Sequence, residues 1–151
     1  MPEGDYETMD RALQARLGRI SNSSLGIAIE AIVAAGQSAV FKSNFDRRLF
    51  SPVLAKIYER VPFYTVQAHL VCQGEVLVER FKSREGENRH PGHQGLRDLE
   101  RISRVLLGGP DEAMDLPEGE TFRFDTTEPG GCYFGPFFEA VARRLGARDT
   151  I

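Results

Sequence analysis

The sequence predicts an α/β fold built on a parallel sheet, from three observations. Short runs rich in β-branched and aromatic residues occur at Ser38–Ser43 (SAVFKS), Phe63–Cys72 and Thr121–Asp125 (TFRFD). Between them lie helix-length segments whose apolar residues recur every three or four positions. With 151 residues, 41% of them hydrophobic, the chain is long enough for one α/β domain, residues 1–151, with a real core. Strands that alternate with helices of this length imply right-handed crossovers and parallel pairing.

The elements follow in order. Met1–Asp5 is a polar end, and Tyr6–Leu17 reads as a helix with Met9, Leu13 and Leu17 on one face, weakened at Gly18. Ser21 or Asn22 can cap a second helix carrying Leu25, Ile27, Ile29, Ile32 and Val33, which Gly36 stops. That helix is apolar on most sides and is expected to pack inside, against the sheet. After SAVFKS, residues Asn44, Phe45 and Asp46 form a turn and cap for a helix over Asp46–Arg60. Leu49, Val53, Leu54 and Ile57 face inward there, and Pro52 is early enough to be tolerated. Beyond the Phe63–Cys72 strand comes a helix whose apolar face is Val76, Leu77 and Phe81, then a polar loop, then a helix over Gln94–Leu107. Leu96, Leu99, Ile102, Val105 and Leu106 are its core stripe, and Gly108, Gly109 and Pro110 break it. The TFRFD strand and a closing helix over Phe134–Leu145 complete the chain.

Charge is nearly balanced, 19 basic against 22 acidic residues, so the whole chain offers no electrostatic case for nucleic acid. Any anion site must be local. Cys72 and Cys132 stand far apart and form no CxxC, which makes a reducing cytoplasm the simplest setting. With no 18-residue apolar run and no basic-then-apolar leader, neither a membrane span nor a signal peptide is expected.

The local exception is the stretch Leu70–His93, LVCQGEVLVERFKSREGENRHPGH. Arg80 and Arg84 fall one helical turn apart on one face, and Arg89, His90 and His93 follow in the polar loop. From Arg80 to Arg104 the basic residues outnumber the acidic ones, against the balance of the whole chain. Guanidiniums offer planar forks of donors that suit a polyphosphate. The same spacing also fits a solvated helix face beside an ordinary surface loop.

Four blocks in this order and spacing resemble the later part of bacterial P-loop kinases of the AAA-domain, zeta-toxin-like type. They are ALQARLGRISNSSLGIAIEAIVAAG, SAVFKSNF, AHLVCQGEVLVERFKSREGENRHPGH and FDTTE, and together they span nearly the whole chain from Tyr6 onward. The most specific part is ERF-x₂-R…RHPGH, which in such kinases belongs to a lid over the nucleotide phosphates. The resemblance implies a parallel three-layer α/β sheet of P-loop kinase type and a lid-like arginine helix, loop and following helix over residues 80–107. It also implies ATP and Mg²⁺ as cofactors and phosphoryl transfer from ATP to a hydroxyl of a small molecule or nucleotide. On this resemblance Arg80, Arg84 and Arg89 are lid cations that neutralise charge on the transferring phosphoryl group. Asn44, His90 and His93 contact substrate, and Asp125, Thr126 and Thr127 lie near the base or ribose of the nucleotide.

The sequence departs from that pattern twice. Such kinases hold the β- and γ-phosphates with a GxxxxGK[ST] loop after their first strand, and no such motif occurs in these 151 residues. The strand before the SNF-like turn usually ends in an acidic residue that assists Mg²⁺, where this chain has Lys42. Lys42 cannot ligate a metal; it either neutralises phosphate itself or marks decay of the catalytic site. The phosphate-loop strand would sit in mid-sheet, so without it the flanking strands must pair directly, recruit a second chain or leave backbone groups open. A segment upstream of Met1 or a natural remnant are both expected on this ground, and a homo-oligomer through the open sheet edge is a corollary.

Other candidates carry less. His90-x-x-His93 with Cys72 lacks a convincing fourth zinc ligand, and no metal is assigned. His69, inside a strand, reads as structural. Asp98, Glu100, Asp111 and Glu112 are general bases by type alone. Tyr133, Phe134, Phe137 and Phe138 read as the residues that dock the last helix. Two functions therefore stand side by side. One is a P-loop kinase-like, ATP-binding phosphotransferase, incomplete as it stands; the other is a non-catalytic remnant that binds phosphate, nucleotide or another protein.

Overall fold

The computed structural model describes residues 11–85, 99–109 and 111–146. Among them run α1 (Arg11–Ala34), α2 (Arg47–Arg60), β1 (Thr65–Val71), α3 (Gly74–Glu85), α4 (Leu99–Leu107), β2 (Gly119–Asp125) and α5 (Gly135–Gly146). No described helix is long and apolar enough to cross a membrane. The described residues fall into two compact units, one of 11–21, 72–85 and 99–109, the other of 22–71 and 111–146.

The second unit holds the sheet. β1 and β2 pair in parallel, in register from Thr65 opposite Gly119 to Val71 opposite Asp125. Parallel pairing of the Phe63–Cys72 and TFRFD segments agrees with the sequence. Gly119 is required at its place, because a Cβ there would stand 2.2 Å from the Thr65 carbonyl oxygen. Phe134 and Phe137 of the α5 region dock on this sheet, with ring centroids 4.4 Å (Phe124–Phe134) and 6.0 Å (Phe122–Phe137) apart, and Ala140 is fully buried. Phe138, 63% exposed, meets the Phe137 ring from outside at 5.4 Å between centroids, and Tyr133 is 78% exposed. At the other end of α5, Arg144 stacks over the Tyr64 ring at 3.4 Å from its centroid.

The rest of that unit is a helical core in which Ile29 of α1 packs among Phe50, Leu54 and Ile57 of α2. Positions 50, 54 and 57 recur at helical intervals, which is why α2 presents one buried stripe. Asp46 caps α2, its carboxylate accepting from the Arg48 N–H at 2.9 Å, and Pro52 is accommodated inside the helix. Ser51, also buried, accepts from the Asp115 N–H at 3.0 Å, and Arg47 pairs with both Asp115 and Glu112. These bonds tie the start of α2 to the segment leading into β2. The helix α1 ends as expected at Gly36 (φ 68°), where the N–H groups of Gly36 and Gln37 bond to the carbonyls of Val33 and Ile32.

Three expectations are corrected. The two helices expected before residue 36 are one, α1, running through Gly18 and the SNSS segment. One helix-interior glycine costs only about 1 kcal/mol, too little to break an apolar period that continues across it. That helix is not buried on most sides either: Ile29 is buried but Ile27 is 70% exposed, since only one face meets α2. Finally, SAVFKS is not a strand, and residues 37–46 have no regular structure. Phe41 and Phe45 pack on the helical core while Val40 is 97% exposed, so the segment is held by two side chains and not by a ladder. The described sheet therefore has two strands, β1 and β2, and not the three that the sequence runs predict.

In the first unit α3 packs on α4. The buried positions of α3 are Gly74, Val78 and Phe81, whereas Val76 and Leu77 are half-buried, so the seam is turned from the expected Val76–Leu77–Phe81 face.

Candidate functional site

The first unit carries the arginines. α3 opens at Gly74, with two residues between it and the end of β1, and its buried seam toward Val78 and Phe81 leaves Arg80 and Arg84 on an adjacent face. Both line an open cleft of about 620 Å³ together with Leu77, Glu79, Phe81, Ser83 and Leu106. Arg84 is exposed; Arg80 is half-buried and donates from Nη1 to the Cys72 sulphur at 3.4 Å. Two cations beside an apolar wall, against the one carboxylate of Glu79, leave the cleft net positive and able to take an anion that carries an apolar or ring-bearing moiety. Arg89, His90 and His93, the other expected members of this flap, lie outside the described residues.

The second unit carries the other candidates. Asp125 closes β2 and lines a separate open cleft of about 380 Å³ with Gly131, Cys132, Tyr133 and Pro136. Its carboxyl is held below its ordinary value, first by the Thr127 side chain and then by the Thr127 N–H, which donates at 2.9 Å. Thr126 is turned to the sheet, both its N–H (2.7 Å) and its hydroxyl (2.9 Å) donating to the Val71 carbonyl. The three consecutive residues thus serve different ends: Asp125 borders the cleft, while Thr126 and Thr127 shape the turn beside it. Asn44 is exposed in the irregular segment, two residues before the Asp46 cap, and Lys42 is exposed nearby in sequence. His69 has its Nε2 at 2.9 Å from the Asp111 carbonyl oxygen, a contact that fits its structural reading.

Sequence reasoning passed over Cys72, Ser83 and Cys132 as lining or supporting residues, and ranked a ligand platform at Tyr133 below helix docking. A signal for the last two exists in the Pro129-Gly130-Gly131 turn, whose Gly130 has φ 77°, at the carboxyl end of a parallel strand where α/β ligand clefts form. Both cysteines are free thiols.

No protein-family model matches the sequence, and no curated protein matches it. Among solved structures, a candidate kinase from Chloroflexus aurantiacus J-10-fl superposes with a TM-score of 0.73 and 27% sequence identity. The match covers 92% of this chain and 72% of that one. The fold is kinase-like. It is a mixed α/β arrangement with a small parallel sheet, shared over nearly all of the chain.

Proposed function

We propose that the chain is a P-loop kinase-like protein of the zeta-toxin type that binds the phosphates of ATP or of a phosphorylated small molecule along α3. The observation that carries this reading is the pairing of Arg80 and Arg84 along one cleft, in a chain whose solved neighbour is a candidate kinase. Charge-assisted hydrogen bonds from guanidinium to phosphate are the strong ones, and in phosphoryl transfer such cations stabilise charge on the migrating group.

The residues present suit the phosphate better than the metal. The described residues hold no group of three His, Cys, Asp or Glu side chains fit to ligate Mg²⁺, and Lys42 replaces the acidic residue that the kinase resemblance calls for. With GxxxxGK[ST] also missing from the sequence, the reading favoured for these 151 residues is phosphate binding, with transfer to a small-molecule hydroxyl as the activity of a complete kinase of this type.

The test is calorimetry with ATP on the wild-type chain and on Arg80→Ala/Arg84→Ala. Affinity is expected to fall by about tenfold or more in the double variant, the loss of one to two charge-assisted bonds. Identical affinities would remove the arginine cleft from the function. A second reading, association through the sheet, has its own support: β1 and β2 pair only with each other among the described residues, which leaves outer strand edges able to accept another strand. Native mass spectrometry showing a monomer at all concentrations would discard it.

A further inference from the structure

Along α1 the residues Leu17, Ile20, Ser24, Ile27, Ala31 and Ala34 follow one another at alternating intervals of three and four, and all of them are exposed. Only Ser24 among them is polar. The packed face of this helix is the opposite one, where Gly26 and Ile29 are buried and Leu25 and Val33 lie against the α2 core. An alternation of three and four is the repeat of a coiled-coil seam, whose mean period of 3.5 residues keeps one stripe turned toward a partner helix. A helix on the surface of a monomer is expected to show solvent a polar face, whereas α1 carries an apolar stripe on each side.

We propose that α1 pairs with the α1 of a second copy of this chain, antiparallel, along this stripe. The order of side chains along the helix selects that arrangement. Bulky residues stand at Leu17, Ile20 and Ile27, small ones at Ser24, Ala31 and Ala34. Turned end for end about the middle of the stripe, the helix sets Leu17 against Ala34 of the second copy, Ile20 against its Ala31 and Ile27 against its Ser24. The two-fold axis repeats each pair, so every layer joins one large and one small side chain, the condition for interdigitation without voids. A parallel pair would instead set Ser24, Ala31 and Ala34 each against itself and leave that half of the seam underfilled. The flanks agree. Of the positions that border the stripe within α1, Arg16, Ser21, Ser23, Ala28 and Glu30, only the first and last are charged, and Arg60 already meets Glu30 at 2.6 and 2.8 Å. No row of like charges therefore opposes a second copy. A seam of roughly 25 Å of helix sits at the low end of specific interfaces, so a reversible dimer in the micromolar range is expected.

The experiment is analytical ultracentrifugation across the micromolar range on wild type, Ile20→Glu, Ile27→Glu and Arg19→Glu, the last an exposed position of α1 outside the stripe. All these positions are exposed in the single chain, so the variants are expected to fold; melting at high dilution, where the monomer prevails and Ile27 is uncovered, checks it. Wild type and Arg19→Glu are expected to pass from monomer to dimer as concentration rises. Ile20→Glu and Ile27→Glu are expected to raise the dissociation constant about tenfold or more, because each puts two unpaired carboxylates into the seam. A wild type that stays monomeric throughout would overturn the proposal, as would a dimer that both stripe substitutions leave intact, since its contact would then lie elsewhere, at the strand edges for instance. Direction is read by mixing chains that carry Leu17→Cys with chains that carry Ala34→Cys, each with Cys132→Ser, under mild oxidation; Cys72 is buried. Disulfides between unlike chains are expected, and a predominance of disulfides between like chains would overturn the antiparallel pairing.

Discussion

Gly74 lies against the main chain of Leu106 so closely that a Cβ on it would stand 2.7 Å from the Leu106 carbonyl oxygen and 2.8 Å from the Leu107 Cα. Backbone cannot step aside as a flexible side chain can, so α3 and α4 must part to admit even a methyl group. Gly74→Ala is therefore expected to destabilise by about 1–3 kcal/mol, in the range of overpacked interiors. Chemical denaturation measures it, and an unchanged midpoint would show that the two helices are not held at this contact. Gly18→Ala is the control: nothing lies within 4 Å of its Cβ position, and in a helix interior alanine is the better residue.

Ile57 and Ile27 separate what the sequence could not. Both fall on apolar helix positions, yet Ile57 is 2% exposed between α1 and α2 and Ile27 is 70% exposed. Ile57→Ala is expected to cost about 2–5 kcal/mol, since it removes buried methyl groups and leaves a cavity. Ile27→Ala is expected to stay within about 0.5 kcal/mol of wild type. Comparable losses in urea unfolding would mean that Ile27 is covered in solution.

That contrast shows what was legible. Elements whose ends are marked by local chemistry were readable: Asp46 as a cap, Gly36 as a left-handed stop, and the alternating run that became β1. The SAVFKS segment was misread because its β-branched and aromatic residues satisfy strand propensity, whereas a strand also needs a ladder, and residues 37–46 have none. The break near Gly18 was misread because one weak residue does not outweigh a period that continues on both sides. In the candidate site, Arg80 and Arg84 were visible from their spacing. Cys72 was not, since its contact with Arg80 depends on how far a side chain reaches back along α3, which sequence distance alone does not state.

Glu30 accepts two hydrogen bonds from Arg60, at 2.6 and 2.8 Å, and these hold its carboxyl below the usual value of 4.5. Asp46 is lowered likewise, first by the Arg48 side chain. A depressed carboxylate contributes stability that is fully present above its unfolded-state value and is lost as pH falls through the folded one. The chain is thus expected to lose melting temperature progressively below about pH 4.5, and Glu30→Gln to flatten part of that acid limb. Both carboxyls are half-buried at the surface and remain in reach of solvent, so the effect is small and shrinks in high salt. An acid limb identical in Glu30→Gln and wild type would show that the Arg60 pair contributes nothing measurable.

On the phosphate-binding reading, binding and transfer separate in these 151 residues. Arg80 and Arg84 provide cations, but transfer also needs a cradle of backbone N–H groups with a lysine at the β- and γ-phosphates and a metal partner at neutral pH. The 151 residues contain no GxxxxGK[ST], and Lys42 stands where the kinase resemblance, not the structure, calls for an acidic metal partner. A protein of this sequence is expected to bind ATP through the arginine cleft without turning it over. Coupled detection of ADP in the presence of Mg²⁺ should give a rate no higher than the buffer blank. Steady Mg²⁺-dependent release from purified chain, lost in Arg80→Ala/Arg84→Ala, would mean instead that a different set of residues replaces the phosphate loop, and that Lys42 serves the phosphate and does not mark decay.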